Sequence, residues 1–286
     1  MWYVTRAFRV AYDGRAFAGF QRQPHAKTVS DTLLRALADH GVIERGDGPT
    51  HATPSGYAAA GRTDAGVSAV AQTVAFDAPE WLTPRAFNGR LPGSVRIWAA
   101  ADVPASFHAT HDAVERTYRY YLYAPAEGPA AVDDALVRDA LDRLSGRHDF
   151  RNLTTDDVGT KRTLSTTATR EGAFLVVEVT AGGFPRSLVR RLIALVQAVG
   201  TGTIDTAFVD RVLDSEPLPG EKGVGPAPPE PLVLWAVAYE GVSFDIDTAA
   251  AESARDSFAE RHREARRAAA VTDALRSGVD PEADAG

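Results

Sequence analysis

The sequence predicts an α+β fold, and three observations carry that prediction. Some runs alternate apolar and polar residues at strand spacing, the first being residues 3–12 around Val4, Phe8, Val10 and Tyr12. Other runs repeat apolar residues at helical spacing, as in 132–144 and the strongly apolar 184–199. The mixture occurs twice, so the chain divides into a half at 1–105, a half at 106–244 and a compositionally different tail at 245–286.

In the first half, Asp13-Gly14 ends the opening strand. Thr28-Val29-Ser30-Asp31 has the form of a helix start, and Val29, Leu33, Leu34 and Leu37 continue it at helical spacing. Gly46-Asp47-Gly48-Pro49 is a loop, and strands are expected at 57–60, 67–76 and 95–99. Thr83-Pro84 starts a short helix, since proline fits the first helical turn.

In the second half, 114–123 reads as a strand and 132–144 as an amphipathic helix ending at Gly146. Residues 163–169 and 173–180 form a hairpin around Glu171-Gly172. The helix 184–199 is stopped by Gly200 and Gly202, the six-proline stretch 217–231 is an extended loop, and 232–239 is a final strand. From Asp245 the chain is rich in Ala, Glu and Arg, which predicts a helix to about Ser277 and a disordered end.

With 286 residues the chain can bury a core without covalent staples, and the absence of cysteine excludes disulfides, thiolate metal sites and a cysteine nucleophile. No metal-ligand spacing is found among the seven histidines. There is no signal-length apolar core at the N-terminus and no run of about 20 apolar residues, so a cytoplasmic protein with no membrane contact is expected. The net charge of −7 argues against a generic nucleic-acid binder, but residues 245–286 alone hold ten acids and six arginines. Only Lys27, Lys161 and Lys222 are lysine, so the cationic surface is arginine, which grips phosphate bidentately and stacks on bases. An acidic, lysine-poor surface also suits a salt-rich cytoplasm.

The most informative stretch is Gly61-Arg62-Thr63-Asp64-Ala65-Gly66-Val67. A loop bounded by glycines can hold one carboxylate at a fixed spot, and a neighbouring guanidinium favours its ionised form. Its residues alone also allow a plain turn in which Asp64 bonds its own backbone and Arg62 is a solvated charge. The loop and the following Ser68–Phe76 run resemble the signature of the TruA-type tRNA pseudouridine synthases. Four further blocks occur in the family's order: Tyr12-Asp13-Gly14 with Phe17 to Gln23, Phe107-His108-Ala109 with Arg116 to Tyr120, Phe184 with Leu188-Val189-Arg190 and Val199-Gly200, and Leu232 to Val237. Together they span roughly residues 6–240 and leave the acidic tail outside.

The resemblance implies a pseudouridine synthase fold: two mixed α/β domains with largely antiparallel sheets around a central RNA-binding cleft, in a homodimer. It implies a tRNA substrate, modified at uridines of the anticodon arm, positions 38 to 40, with no cofactor. Asp64 would be the catalytic nucleophile, with Arg62, Tyr118, Arg190 and Leu232 binding substrate. Phe20, Gln21, Arg22, Arg116 and Arg186 are candidate RNA contacts, and Arg35, Arg85, Arg90 and Arg119 could extend a basic groove. By pattern alone, an aromatic of a strand core is the better reading of Tyr118, and Phe20 also fits core packing. Arg190 interrupts an apolar helix, so it either reaches solvent or pairs with an acid, for which Asp64 is the expected partner; Arg186 would sit one turn earlier on the same face. Thr110 stands where the family commonly has arginine, and Leu188 where it often has methionine. A catalytically silent RNA-binding module, a glycosidic-bond hydrolase and a synthase acting elsewhere on tRNA are the competing readings. The tail is expected to be dispensable.

Overall fold

The computed structural model describes residues 3–45, 52–128, 130–214, 216–218 and 223–279. The loop expected at 46–49 and the chain end after 279 lie outside the described residues. Among the described residues ten strands make one sheet: β1 (Tyr3–Tyr12), β2 (Ala58–Ala59), β3 (Ser68–Pro79), β4 (Val95–Asp102), β5 (Ala113–Tyr123), β6 (Gly146–Asp149), β7 (Lys161–Glu171), β8 (Phe174–Ala181), β9 (Leu232–Tyr239) and β10 (Asp245–Ile246). Six α-helices accompany them among the described residues: α1 (Val29–Asp39), α2 (Pro84–Asn88), α3 (Asp134–Leu144), α4 (Leu188–Gly200), α5 (Ala207–Leu213) and α6 (Thr248–Gly278).

The strand order is β10-β4-β1-β3-β9-β5-β8-β7-β6, with β2 paired to β3. Where separate sheets were expected in the two halves, one sheet runs through both. The junction is a short parallel pairing of β3 with β9, Ser68 opposite Val233 and Ala69 opposite Leu234. The pairings on either side of it are antiparallel. Parallel strands that start side by side receive their preceding segments from the same end of the sheet. The junction therefore brings the loop 61–67 and the proline-rich segment before β9 together, although about 165 residues of chain separate them.

The apolar core has two main parts, and strand alternation explains both. On β1, Phe8, Val10 and Tyr12 face Leu33, Leu34 and Leu37 of α1 and Phe87 of α2. In the other part, Tyr120, Leu122, Leu175, Val177 and Val179 of the sheet meet Val137 and Leu141 of α3 and Leu192, Ile193 and Val196 of α4. Tyr118 packs against both parts.

Helix starts follow their caps. Thr28 accepts from the Asp31 amide and donates its own hydroxyl to the Asp31 carboxylate, as the sequence predicts. The helix expected from 184 begins only at Leu188. Pro185 disfavours helical backbone at Phe184, and Ser187 adopts a left-handed conformation with φ 56°. β6, α5 and β10 were not anticipated, being short segments of two to seven residues with little periodicity.

The tail is part of the fold at its root. Asp247 caps α6 and also accepts from the Arg85 amide, while Ala250 and Ala254 are buried and Arg261 pairs with Asp13 at 3.0 Å. From residue 262 to 279 every residue is exposed. Among the described residues no helix is long and apolar enough to cross a membrane.

Candidate active site

Asp64 sits where the two halves of the sheet meet, beside a cavity of about 1750 Å³. Its loop is held on every side by hydrogen bonds. The buried Gln72 side chain clips both backbone groups of Gly61, accepting from its amide at 3.3 Å and donating to its carbonyl at 2.9 Å. Thr63 and the buried Tyr12 share a hydroxyl hydrogen bond of 2.8 Å, and the Phe20 amide donates to the Thr63 carbonyl. Two glycines permit the close packing. Gly66 has φ +83°, and a Cβ there would lie 2.9 Å from Pro229 Cγ. A Cβ on Gly14 would lie only 2.0 Å from the Val67 carbonyl oxygen.

The Asp64 carboxylate reaches α4. Arg190 Nη1 and Ser187 Oγ both donate to Asp64 Oδ2, each at 3.0 Å. Arg190 is in turn fixed by the proline-rich segment: its Nε donates to the Ala227 carbonyl at 2.7 Å, and the Ala227 amide returns a bond to the Arg190 carbonyl. The Asp64 side chain is 35% exposed and that of Arg190 16%, so the pair is formed at the cavity wall and not in the core. Arg190 thus pairs with the acid expected for it.

Tyr118 is partly buried on β5, its ring edge-on to Phe184 at 5.2 Å. Burial pushes its hydroxyl up to about 12, with the Asp64 charge adding in the same direction and Arg116 opposing. That hydroxyl makes no hydrogen bond to a described residue. Leu232, the first residue of β9, is buried and adds an apolar wall to the same cavity. The site therefore offers one carboxylate fixed through a single oxygen, an aromatic ring, an apolar surface and arginines around the opening.

Several sequence expectations need correction. Arg62 does not pair with Asp64: it is exposed at the cavity, with no hydrogen bond or ion pair to a described residue, because Thr63 between them is drawn into the core by Tyr12. Arg116, expected as an RNA contact, lines the cavity but has its guanidinium engaged by the protein. It is buried, and its guanidinium donates to the backbone carbonyls of Ala60, Thr110, Ala113 and Gly182, tying β5 to the Asp64 side of the site. Phe20 is a buried ring beside Tyr12 that also lines the cavity. Arg186 precedes α4 instead of lying on it; its amide donates to Asp156, and its side chain is 73% exposed at the cavity. Of the other proposed contacts, Gln21 and Arg22 line the cavity, Arg22 paired with Asp31 at 2.9 Å. Arg35, Arg85, Arg90 and Arg119 are not among its lining residues, and Arg119 instead lies 3.7 Å over the Trp235 ring and pairs with Glu178. Thr110, in the family's arginine position, donates to the Ala59 carbonyl at 2.6 Å.

Ser187 and the clamp at Ala227 were missed by sequence reasoning. Both had a signal: serine just before an apolar helical run, and a rigid proline-rich segment leading into a strand.

A family model described as tRNA pseudouridine synthase matches residues 140–240. The chain is 58% identical over 278 residues to the tRNA pseudouridine synthase A of Haloarcula marismortui, covering 96% of this chain and all of that protein. It is 59% identical over 270 residues to that of Natronomonas pharaonis, covering 94% and 98%, and 34% identical over 262 residues to that of Thermococcus sibiricus, covering 90% and 93%. The first two relatives come from halophilic archaea, in keeping with the acidic, lysine-poor composition. The chain belongs to the tRNA pseudouridine synthase A family, isomerases that convert tRNA uridine to pseudouridine.

Proposed function

We propose that the protein isomerises uridines of the tRNA anticodon arm, positions 38 to 40, with Asp64 as nucleophile, acting as a cytoplasmic homodimer whose halves 1–105 and 106–244 wall the RNA cleft. The observation that carries this reading is the state of the carboxylates at the cavity. Two line it; Asp156 is held by Arg186, and Asp64 is presented by Arg190 and Ser187 toward the space beside Tyr118 and Leu232.

The reaction moves one bond. The N1–C1′ bond of uridine breaks, C5 bonds to C1′, the C5 proton is lost and N1 gains one, so product and substrate are isomers. The target base must first leave its stack, which costs a few kcal/mol. Tyr118 supplies a ring on which the extruded uracil can stack, and Leu232 an apolar wall. Asp64 then forms a covalent bond to the nucleotide by one of two routes. At C1′, the N1–C1′ electron pair leaves on the uracil. At C6, the C5–C6 π pair moves into the C4 carbonyl. In the first route C5 then displaces Asp64 from C1′; in the second the N1–C1′ bond breaks after the addition, C5 captures C1′, and loss of the C5 proton re-forms the C5–C6 double bond and expels Asp64 from C6. Arg190 keeps the carboxylate oriented, and Arg62, unpaired among the described residues, can meet a phosphate or the vacated stack.

The test is to map pseudouridine after incubating the purified protein with whole tRNA, an isolated anticodon stem-loop and a linear oligomer of the same sequence. Modification confined to positions 38–40, fastest on whole tRNA, is expected, because an overall acidic protein cannot rely on diffuse attraction and must match phosphates at fixed spacing. Modification in another arm would overturn the site assignment and leave the chemistry intact. Tight binding with no modification of any RNA would favour a silent RNA-binding module.

A further inference from the structure

Ser187 departs twice from what its position favours. A serine just before a helix ordinarily accepts from an amide of the first turn, yet Ser187 makes no such cap. Its backbone is left-handed at φ 56°, a region that non-glycine residues occupy only when their surroundings hold them there. Both departures have one outcome. The Ser187 hydroxyl turns away from its own helix and donates to Asp64 Oδ2 at 3.0 Å, across 123 residues of chain.

Arg190 Nη1 donates to the same oxygen, while Asp64 Oδ1 accepts no hydrogen bond from a described residue. The carboxylate is therefore restrained asymmetrically. Two donors on Oδ2, one charged and one neutral, arrive from adjacent turns of chain. One donor leaves a carboxylate free to pivot about that contact; a second fixes its plane.

We propose that Ser187 is a positioning residue for the isomerisation, which with Arg190 pins Oδ2 of Asp64 so that Oδ1 is the oxygen that bonds to the nucleotide. This rests on Asp64 being the nucleophile. It predicts a cost in kcat and little in tRNA affinity, since Ser187 restrains the attacking group and the RNA grip lies elsewhere.

The experiment compares Ser187→Gly, Ser187→Ala and Ser187→Asn with the parent and with Asp64→Asn, on folded tRNA under single-turnover and steady-state conditions. Glycine removes the hydroxyl and tolerates the left-handed backbone, so the unfolding midpoint should hold or rise. Its kcat should nevertheless fall roughly ten- to a hundredfold, the loss expected for one hydrogen bond to a charged group, with KM unchanged within about threefold. Ser187→Ala should show the same loss of kcat. Asparagine tolerates the left-handed region and carries an amide donor, so Ser187→Asn should recover kcat to within about fivefold of the parent. If Asp64→Asn retains turnover, the nucleophile assignment fails, whatever the Ser187 variants do. If Asp64→Asn is silent and folded Ser187→Gly or Ser187→Ala turns over like the parent, the positioning role is wrong. A Ser187→Asn no faster than Ser187→Gly would overturn it equally.

Discussion

Arg190 and Asp64 lie 126 residues apart in the chain and meet at 3.0 Å, Nη1 to Oδ2. The same guanidinium holds the Ala227 carbonyl through Nε, so one planar group joins α4, the Asp64 loop and the segment leading into β9. Lysine carries the charge but not the fork. Arg190→Lys should lower kcat by about a hundredfold or more while tRNA binding stays within severalfold, read by single-turnover rates beside a binding isotherm. A rate within about tenfold of the parent would mean that charge alone suffices.

Asp64→Asn should fold, bind tRNA and leave no detectable turnover. The amide oxygen can still accept from Arg190 and Ser187, so the loop has no reason to move. What disappears is the carboxylate oxygen proposed to attack. A fall well beyond about a thousandfold is expected, against which residual activity within tenfold would remove the nucleophile assignment.

Much of this site was legible because a few residues broke the local pattern. Arg190 interrupted an apolar helix, and the unfavourable burial of an unpaired charge pointed to an acid partner. The Gly-bounded loop announced a held carboxylate. Arg116 was expected to meet RNA, and its place on β5, on the face it shares with Tyr118 and the core residue Tyr120, left its bonding to carbonyls unforeseen. No pattern tells a buried arginine bonded to carbonyls from one awaiting phosphate, because both need only a cation on a strand. The single sheet was also out of reach. It depends on a two-residue parallel pairing between strands more than 150 residues apart, and periodicity reports a strand's faces but never its neighbours.

Tyr118 should separate ring from hydroxyl. The ring packs between both core parts and against Phe184, and the hydroxyl makes no hydrogen bond to a described residue. Tyr118→Phe should therefore keep stability and most tRNA binding, whereas Tyr118→Ala should cost about 3 kcal/mol of stability and far more activity. Equal loss of kcat in both, with both folded, would assign the function to the hydroxyl.

Stability should fall steeply in alkali. Burial pushes the hydroxyls of Tyr57, Tyr118, Tyr120 and Tyr239 up to about 12 from an ordinary value of 10.0, and raises that of Tyr12 as well. Above pH 10 an unfolded chain would release protons that the native protein keeps, so unfolding gains with pH. Tyrosine-linked stability is fully present below about pH 10 and is lost as pH rises through 12. Thermal midpoints measured from about pH 8 upward should stay level and then drop, and Tyr120→Phe should make the drop shallower. A midpoint steady to about pH 11.5 would contradict the burial of these hydroxyls.

Cutting the tail at two places should give two different proteins. Among the described residues, removing 263–286 takes away only exposed positions of α6 and its C-cap, so folding and turnover should both survive. Removing 246–286 was expected from composition to be harmless as well, but the packing says otherwise. It deletes buried Ala250 and Ala254, the Asp247 contact to the Arg85 amide, the Ser257 acceptor of Arg96 and the partner Arg261 of Asp13. Asp13 keeps Arg15, whose hydrogen bond and charge hold its carboxyl below the usual range, so the acid would remain ionised with one cation fewer. The disturbance has a route to the site. Gly14 follows Asp13, donates to Ser68 Oγ at 3.0 Å and packs against the Val67 carbonyl, at the end of the loop that presents Asp64. The shorter protein should lose about 5 °C or more of thermal midpoint and part of its kcat, with tRNA binding at matched salt little changed. If it is as stable and as fast as the full chain, the α6 root is not part of the working fold. If removal of 263–286 alone abolishes activity, the exposed end of α6 contributes to the site or to a second copy of the chain.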